Sequence, residues 1–202
     1  MGLITDVFDH QNRVLYCGHW YRTQPAYDIV LAIQKLYKDP ELTDADKIEQ
    51  ALRMLIKSRV RVRSLPPDQK ASLLAAIVKQ QIDLPPRPHV GRQQRTVDFE
   101  LDGEYIYASF LQAYGIDLLE EQGRLHWKRF IALFQGLPDD TKIREIMRIR
   151  ATDLPTPTKY NQKERQTLME LKAYYALPVE GGGGQNGLNA LFSALEAQAE
   201  GR

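Results

Sequence analysis

The run from Asp98 to Pro178 most limits what this chain can fold into, because it consists of amphipathic segments cut apart by turn signals: DFELDGEYIYASFLQAYGIDL, then LHWKRFIALFQGLPDDTKIREIMRIRATDL, then YNQKERQTLMELKAYYALP. At about 100° per residue, Ile106, Tyr107, Phe110, Leu111 and Tyr114 share one side of a first helix, while Tyr105, Ser109 and Gln112 share the other. That reading puts Tyr105, an aromatic, on a polar face. Trp127, Phe130, Ile131 and Phe134 follow helical spacing in a second helix, which Gly136-Leu137-Pro138 should end. Asp139, Asp140 and Thr141 offer caps to a third, carrying Ile143, Ile146, Met147 and Arg150. Pro155 and Pro157 then force a loop before a charged helix with Leu168, Leu171 and Tyr175.

Upstream, residues 13–22 (RVLYCGHWYR) read as a short hairpin turning at Cys17-Gly18. Pro25 opens a helix with the stripe Ile29, Val30, Ile33, Leu36 and Tyr37. Thr43 and Asp46 make a capping arrangement for a helix carrying Ile48, Ala51, Leu52, Leu55 and Ile56. Another starts at Pro66-Pro67-Asp68, carries Leu73, Leu74, Ile77 and Val78, and stops before Leu84. The fold class expected is mainly α, with seven or eight short helices in two lobes beside a small N-terminal hairpin. The cluster Pro85, Pro86 and Pro88 is the natural internal boundary, since prolines stiffen a chain and remove donors. It divides the chain into a lobe over 1–84, a linker over 85–97, an aromatic-rich lobe over 98–178, and a tail over 179–202. In that tail Gly181 to Gly184 form a tether, and Leu188, Leu191, Phe192 and Leu195 form a stripe short enough to need a docking surface.

DGEYIYASFLQAYGIDL, LHWKRFIALFQGLPDDTKIREIMRIRATDL and LKAYYAL, with the earlier YRTQPAYDIVLAIQKLYKDPELTDADKIEQALRML, are similar to a bacteriophage family called the gene product fifteen family. The resemblance covers most of residues 14–178. Its members are encoded between the major tail protein and the tape-measure protein of long-tailed phages. The resemblance therefore implies a tail assembly chaperone, acting in the host cytoplasm during assembly and absent from the mature virion. The implied partner is the tape-measure protein, with the major tail protein and further copies of this chain as additional candidates.

Composition bounds the reading independently. A chain of 202 residues with 43% hydrophobic content can fill a core. Its 27 basic and 26 acidic residues give a formal charge of +1, so no global bias draws it to polyanions or membranes. The single Cys17 excludes an internal disulfide and fits a reducing compartment. No apolar run approaches membrane-spanning length, and the start MGLITDVFDHQ lacks a signal peptide pattern. Asp6 stands where myristoylation needs Ser or Thr.

Chemistry is sparse. His10, His19, His89 and His126 form no ligand set, and one cysteine makes no zinc half-site, so neither a metal nor another cofactor is expected. The four-glycine run lacks the Lys and Ser/Thr of a phosphate loop, and no nucleophile elbow occurs. A non-enzymatic role follows. His126 flanks a core tryptophan, which accounts for it without a recognition role. Lys57, Arg59, Arg61 and Arg63 alternate with Ser58, Val60 and Val62, which would line the cations along one face of an extended segment. No aromatic interleaves them, so a solvated edge outranks nucleic-acid binding.

The function expected is thus a chaperone that covers the apolar stripes of a long helical tape-measure protein until the tail tube polymerises around it. Tyr105, Arg129 and Leu133 are the candidate contact residues, with Leu188, Leu191 and Phe192 in the tail. The alternatives are a structural component of the virion tail and a nucleic-acid-binding accessory protein using Arg59, Arg61 and Arg63.

Overall fold

The computed structural model describes residues 12–58, 60–84 and 95–178. The chain divides into two compact units; the first break, between residues 87 and 88, falls in the proline cluster, but Leu119–Gln135 joins the N-terminal unit. The tryptophan stripe expected in the second lobe therefore serves the first. Periodicity shows that a helix has a face to bury, but not which distant segment will cover it.

In the first unit, strands β1 (Arg13–Tyr16) and β2 (His19–Arg22) pair antiparallel, with Arg13 opposite Arg22, Val14 opposite Tyr21, Leu15 opposite Trp20 and Tyr16 opposite His19. Cys17 and Gly18 both have positive φ, 46° and 75°, as a two-residue turn matched to the strand twist requires. Val14 and Tyr21 are buried, whereas Arg13, Leu15, Trp20 and Arg22 on the opposite face are exposed. Helix α1 (Tyr27–Lys38) begins two residues after Pro25, with Ala26 at its cap. The Pro25 carbonyl instead accepts from Trp127 N at 2.8 Å. Helix α2 (Asp44–Leu55) starts on Thr43, whose side chain accepts from Asp46 N at 3.2 Å as its capping pattern predicts.

The expected basic stripe does not form in the described part. Val60–Arg63 is a single helical turn, α3, rather than an extended segment, and Arg59 lies outside the described residues. Val62 is buried while Arg61 and Arg63 are exposed, and in a helix residues two apart point about 200° from each other. Helix α4 (Pro67–Ile77) runs into a π-helical turn over Val78–Ile82. That turn buries Gln81, which accepts from the Thr23 hydroxyl and donates to Arg13 O at 3.1 Å, tying the hairpin down. Helix α6 (Trp127–Gln135) completes the core: Phe130 stacks on Tyr27 at 4.8 Å, Trp127 at 5.8 Å and Phe134 at 6.4 Å. Its approach is fixed at Gly123, where φ is 69° and a Cβ would meet Gln24 Nε2 at 2.9 Å. Gly123 N donates to Asp28 Oδ1 and its carbonyl accepts from Gln24.

In the second unit α5 (Gly103–Tyr114) packs on α7 (Lys142–Ala151), and α8 (Gln162–Tyr174) lies against α7. Gly115, at φ 65°, ends α5 and donates to Leu111 O. The buried face of α5 is rotated from the expected one. It carries Asp102, Ile106, Ser109 and Phe110, and Leu111 is exposed. Ser109 can be buried because its hydroxyl donates to Tyr105 O at 2.7 Å and accepts from Ile143 N at 3.2 Å. Thr141 caps α7 by position, but its hydroxyl donates to Pro138 O, while Asp139 pairs with Arg144.

At the centre lies a buried ion pair. Arg150 donates in two parallel bonds to the Asp102 carboxylate, at 2.6 and 2.8 Å, and also to Thr96 O and to Tyr175 O. Asp102 additionally accepts from Asp98 N at 2.9 Å. Asp98 receives Glu100 N and Leu101 N and pairs with Arg95. With its charges matched and hydrogen-bonded, the pair fixes the start of α5 and the end of α8 on α7.

Candidate partner-binding surface

The residues singled out in the sequence do not converge. Tyr105 is not on a polar face: it is half-buried, its ring edge-on to Tyr175 at 6.1 Å, within the second unit. Arg129 and Leu133 are half-buried on α6 in the first unit. Four residues apart, they sit one turn above the other on the same side of that helix. Leu188, Leu191 and Phe192 lie outside the described residues, as do the four-glycine run and Arg59. His126 is buried beside Trp127, its Nδ1 accepting from Lys128 N at 3.1 Å, a helix-start role rather than a recognition site.

Helix α8 presents a surface that its spacing did not reveal. None of its residues is buried, in contrast to every other long helix among the described residues. A helix of this length is marginal alone, so its attachment decides whether it forms. The attachment is mostly polar and gathers near its C-terminal end. Lys172 Nζ donates to the carbonyls of Ile149, Arg150 and Thr152 at 3.1, 2.8 and 2.7 Å, placing a cation on the negative end of α7. Arg150 Nε holds Tyr175 O at 2.7 Å. Lys142 Nζ stands 5.3 Å from the centre of the Tyr175 ring. Its hydrogen bond to Glu145, foremost, and its contact with Tyr175 push the Lys142 ammonium pKa above its ordinary value.

What this leaves outward is apolar. Leu171 and Tyr174, three residues apart, share one side of α8, with Tyr174 76% exposed, and Met169 is exposed on the other flank. The stripe expected to face inward, Leu168, Leu171 and Tyr175, is thus only half turned in: Leu168 and Tyr175 are half-buried, and Leu171 is not. Leu111 on α5 and Leu154 after α7 add exposed leucines in the same unit. Scattered apolar residues are ordinary on any surface, but a helix pinned by polar contacts with its leucine and tyrosine outward is suited to receive another apolar helix.

Among the described residues no three His, Cys, Asp or Glu side chains gather as a metal site would need. No helix there is long and apolar enough to cross a membrane.

The molecule is thus a mainly helical protein with two small cores. The family model described as Bacteriophage Gp15 protein matches residues 10–177, and the chain belongs to that family. No curated protein matches it, and no solved structure does.

Proposed function

We propose that this phage protein is a tail assembly chaperone that holds the tape-measure protein soluble until tube subunits replace it. The observation that carries the reading is α8, a helix with no buried residue whose Leu171 and Tyr174 face outward. Membership of a phage family supports it, as does the position between tail genes that the family resemblance implies. The physical task is to cover, reversibly and many times over, the apolar stripes of a long helical chain. An exposed apolar strip with charged neighbours such as Lys163, Glu164 and Glu170 does this with modest affinity per site, so that polymerising tube subunits can displace it.

Co-expression with the phage's tape-measure protein tests the reading. The tape-measure protein is expected to be soluble and to co-elute only in company with this chain. A Leu171→Asp/Tyr174→Asp variant, altered at exposed positions and therefore folded, is expected to lose that effect. A tape-measure protein that is equally insoluble with and without the chain, or a double variant as effective as the parent, overturns it.

A further inference from the structure

Past Thr152 the second unit continues as an arm rather than as part of its core. No residue from 153 to 178 is buried. Among the described residues, the polar and ring contacts that tie this stretch to the rest of its unit are made at two positions. Lys172 lies on the carbonyls that end α7, while Tyr175 takes Arg150 Nε on its carbonyl and meets Tyr105 and Lys142 with its ring. The other side-chain hydrogen bonds of the stretch are internal. Thr158 N donates to Asn161 Oδ1 at 2.8 Å, Asn161 Nδ2 donates to Thr156 O at 2.9 Å, and Arg165 donates to Pro155 O. Gln166 and Thr167 bond within α8 itself. If the arm leaves, Arg150 keeps Asp102 and Thr96 O on its two Nη groups, so the core of the unit stays closed and the opening is local.

The connection over 152–160 is built as a hinge. Every residue in it is exposed. Its first half is stiff, because Pro155 and Pro157 lack donors and hold Leu154 and Thr156 extended. Its second half bends at Lys159 and Tyr160, and Asn161 holds the bend through the bonds to Thr156 and Thr158. The hinge also carries Leu154, 38% exposed, and Tyr160, 98% exposed, apolar surface that this arrangement leaves in water.

We propose that α8 is exchanged between two copies of this chain, each laying its arm on the other's α7. The seat on α7 is fitted to a cation and an aromatic three residues apart, and a second copy brings that same pair in the same geometry. Exchange keeps every contact of the closed form and adds one region, where the two hinges pass and cover Leu154 and Tyr160. What opposes it is the cost of association. At about 3.3 Å per residue the drawn-out hinge reaches roughly 30 Å, enough to cross to a neighbour. The pair carries two outward Leu171/Tyr174 strips, which would raise avidity for a long helical partner. The exchange does not rest on the chaperone reading, so either can fail without the other.

The test mixes equal amounts of ordinary and heavy-isotope-labelled full chain at concentrations from micromolar to millimolar. Monomer and dimer are separated, their masses are measured by light scattering, and each is treated with a lysine-reactive cross-linker. Lys142 and Lys172 both lie beside the α7–α8 junction and report whose arm is seated there. The dimer share should rise with concentration, and about half of its Lys142–Lys172 links should join light to heavy chains, as random pairing of exchanged arms requires. Amide exchange in α8 should be alike in monomer and dimer, since the same contacts hold it in both. Asn161→Ala, which frees the bend, should raise the dimer share about threefold or more, and Pro155→Ala/Pro157→Ala, which relaxes the stiff half, should lower it about threefold or more. A chain that is monomeric throughout overturns the proposal. So does a dimer whose Lys142–Lys172 links stay within one isotope, which is side-by-side association, or a dimer share that the hinge variants do not move in these directions.

Discussion

The two units solve the same problem by opposite means. The first is closed by apolar contact: Val14, Leu52, Leu55, Leu73, Leu74, Ile77 and Phe130 are almost wholly buried, and stacked aromatics join α6 to α1. The second has an apolar seam, from Phe110, Ile143 and Ile146, but is organised around Arg150 and Asp102, and its last helix is attached chiefly through polar groups. Apolar packing is tolerant of shape and indifferent to direction, whereas a bidentate ion pair demands one geometry. The first unit is thus the more robust to polar change. The second is the one in which a helix can be held in place while its outward side stays available.

The largest expected effect breaks the first unit. Phe130→Ala should cost about 4 kcal/mol, through lost burial and the cavity left among Tyr27, Trp127 and Phe134. Hydrogen exchange should show protection lost in α1 and α6 ahead of α5 and α7. The corresponding break in the second unit is Asp102→Ala, expected to cost about 3 kcal/mol by leaving the buried Arg150 guanidinium uncompensated. A double Asp102→Leu/Arg150→Met replacement should recover much of that loss, as urea unfolding would show. If the double is as damaged as the single, the geometry rather than the buried charge is what matters.

A smaller effect is expected at Lys172→Met, which keeps the stem but removes the cation from three α7 carbonyls. It should cost about 1 kcal/mol and raise amide exchange across α8 while α5 and α7 stay protected. The smallest concerns Tyr37 in α1. Burial, with a lesser push from Asp44, raises its hydroxyl pKa to about 12, and that hydroxyl has no hydrogen-bond partner among the described residues. The folded pKa lies above the unfolded value of about 10, so the contribution is whole below pH 10 and lost as pH rises towards 12. Tyr37→Phe should leave stability at neutral pH nearly unchanged and flatten the alkaline fall, followed by thermal unfolding against pH. The Tyr37 hydroxyl of the first unit is thus dispensable at neutral pH, whereas the Asp102 carboxylate of the second is not.

Much of this fold was legible in advance. The Cys17-Gly18 turn, the Thr43 cap and the 127/130/131/134 stripe depend on neighbours a few residues away, and local chemistry determines them. What was not legible depends on distant partners. Ser109 reads as solvent-facing until Ile143 N is brought to it, and Arg150 falls on the apolar stripe of its helix with nothing nearby in the sequence to name Asp102 as its partner. The same holds for α6, whose stripe meets Tyr27 about a hundred residues upstream. In 57–63 a period of two suggested an extended segment, but with Val62 the buried contact a single helical turn buries it equally well. The outward Leu171 and Tyr174 were hidden for a related reason. Their spacing suits a buried stripe, and only the anchoring of Lys172 and Tyr175 shows which side of α8 is turned in.

The most direct measurement is hydrogen exchange on the co-purified complex with the tape-measure protein, compared with the chain alone. The account predicts added protection concentrated in α8, spanning Leu171 and Tyr174, with the core of α1, α2 and α4 unchanged. Exchange in α8 that is identical in the free and bound protein, with new protection elsewhere or none, would contradict it.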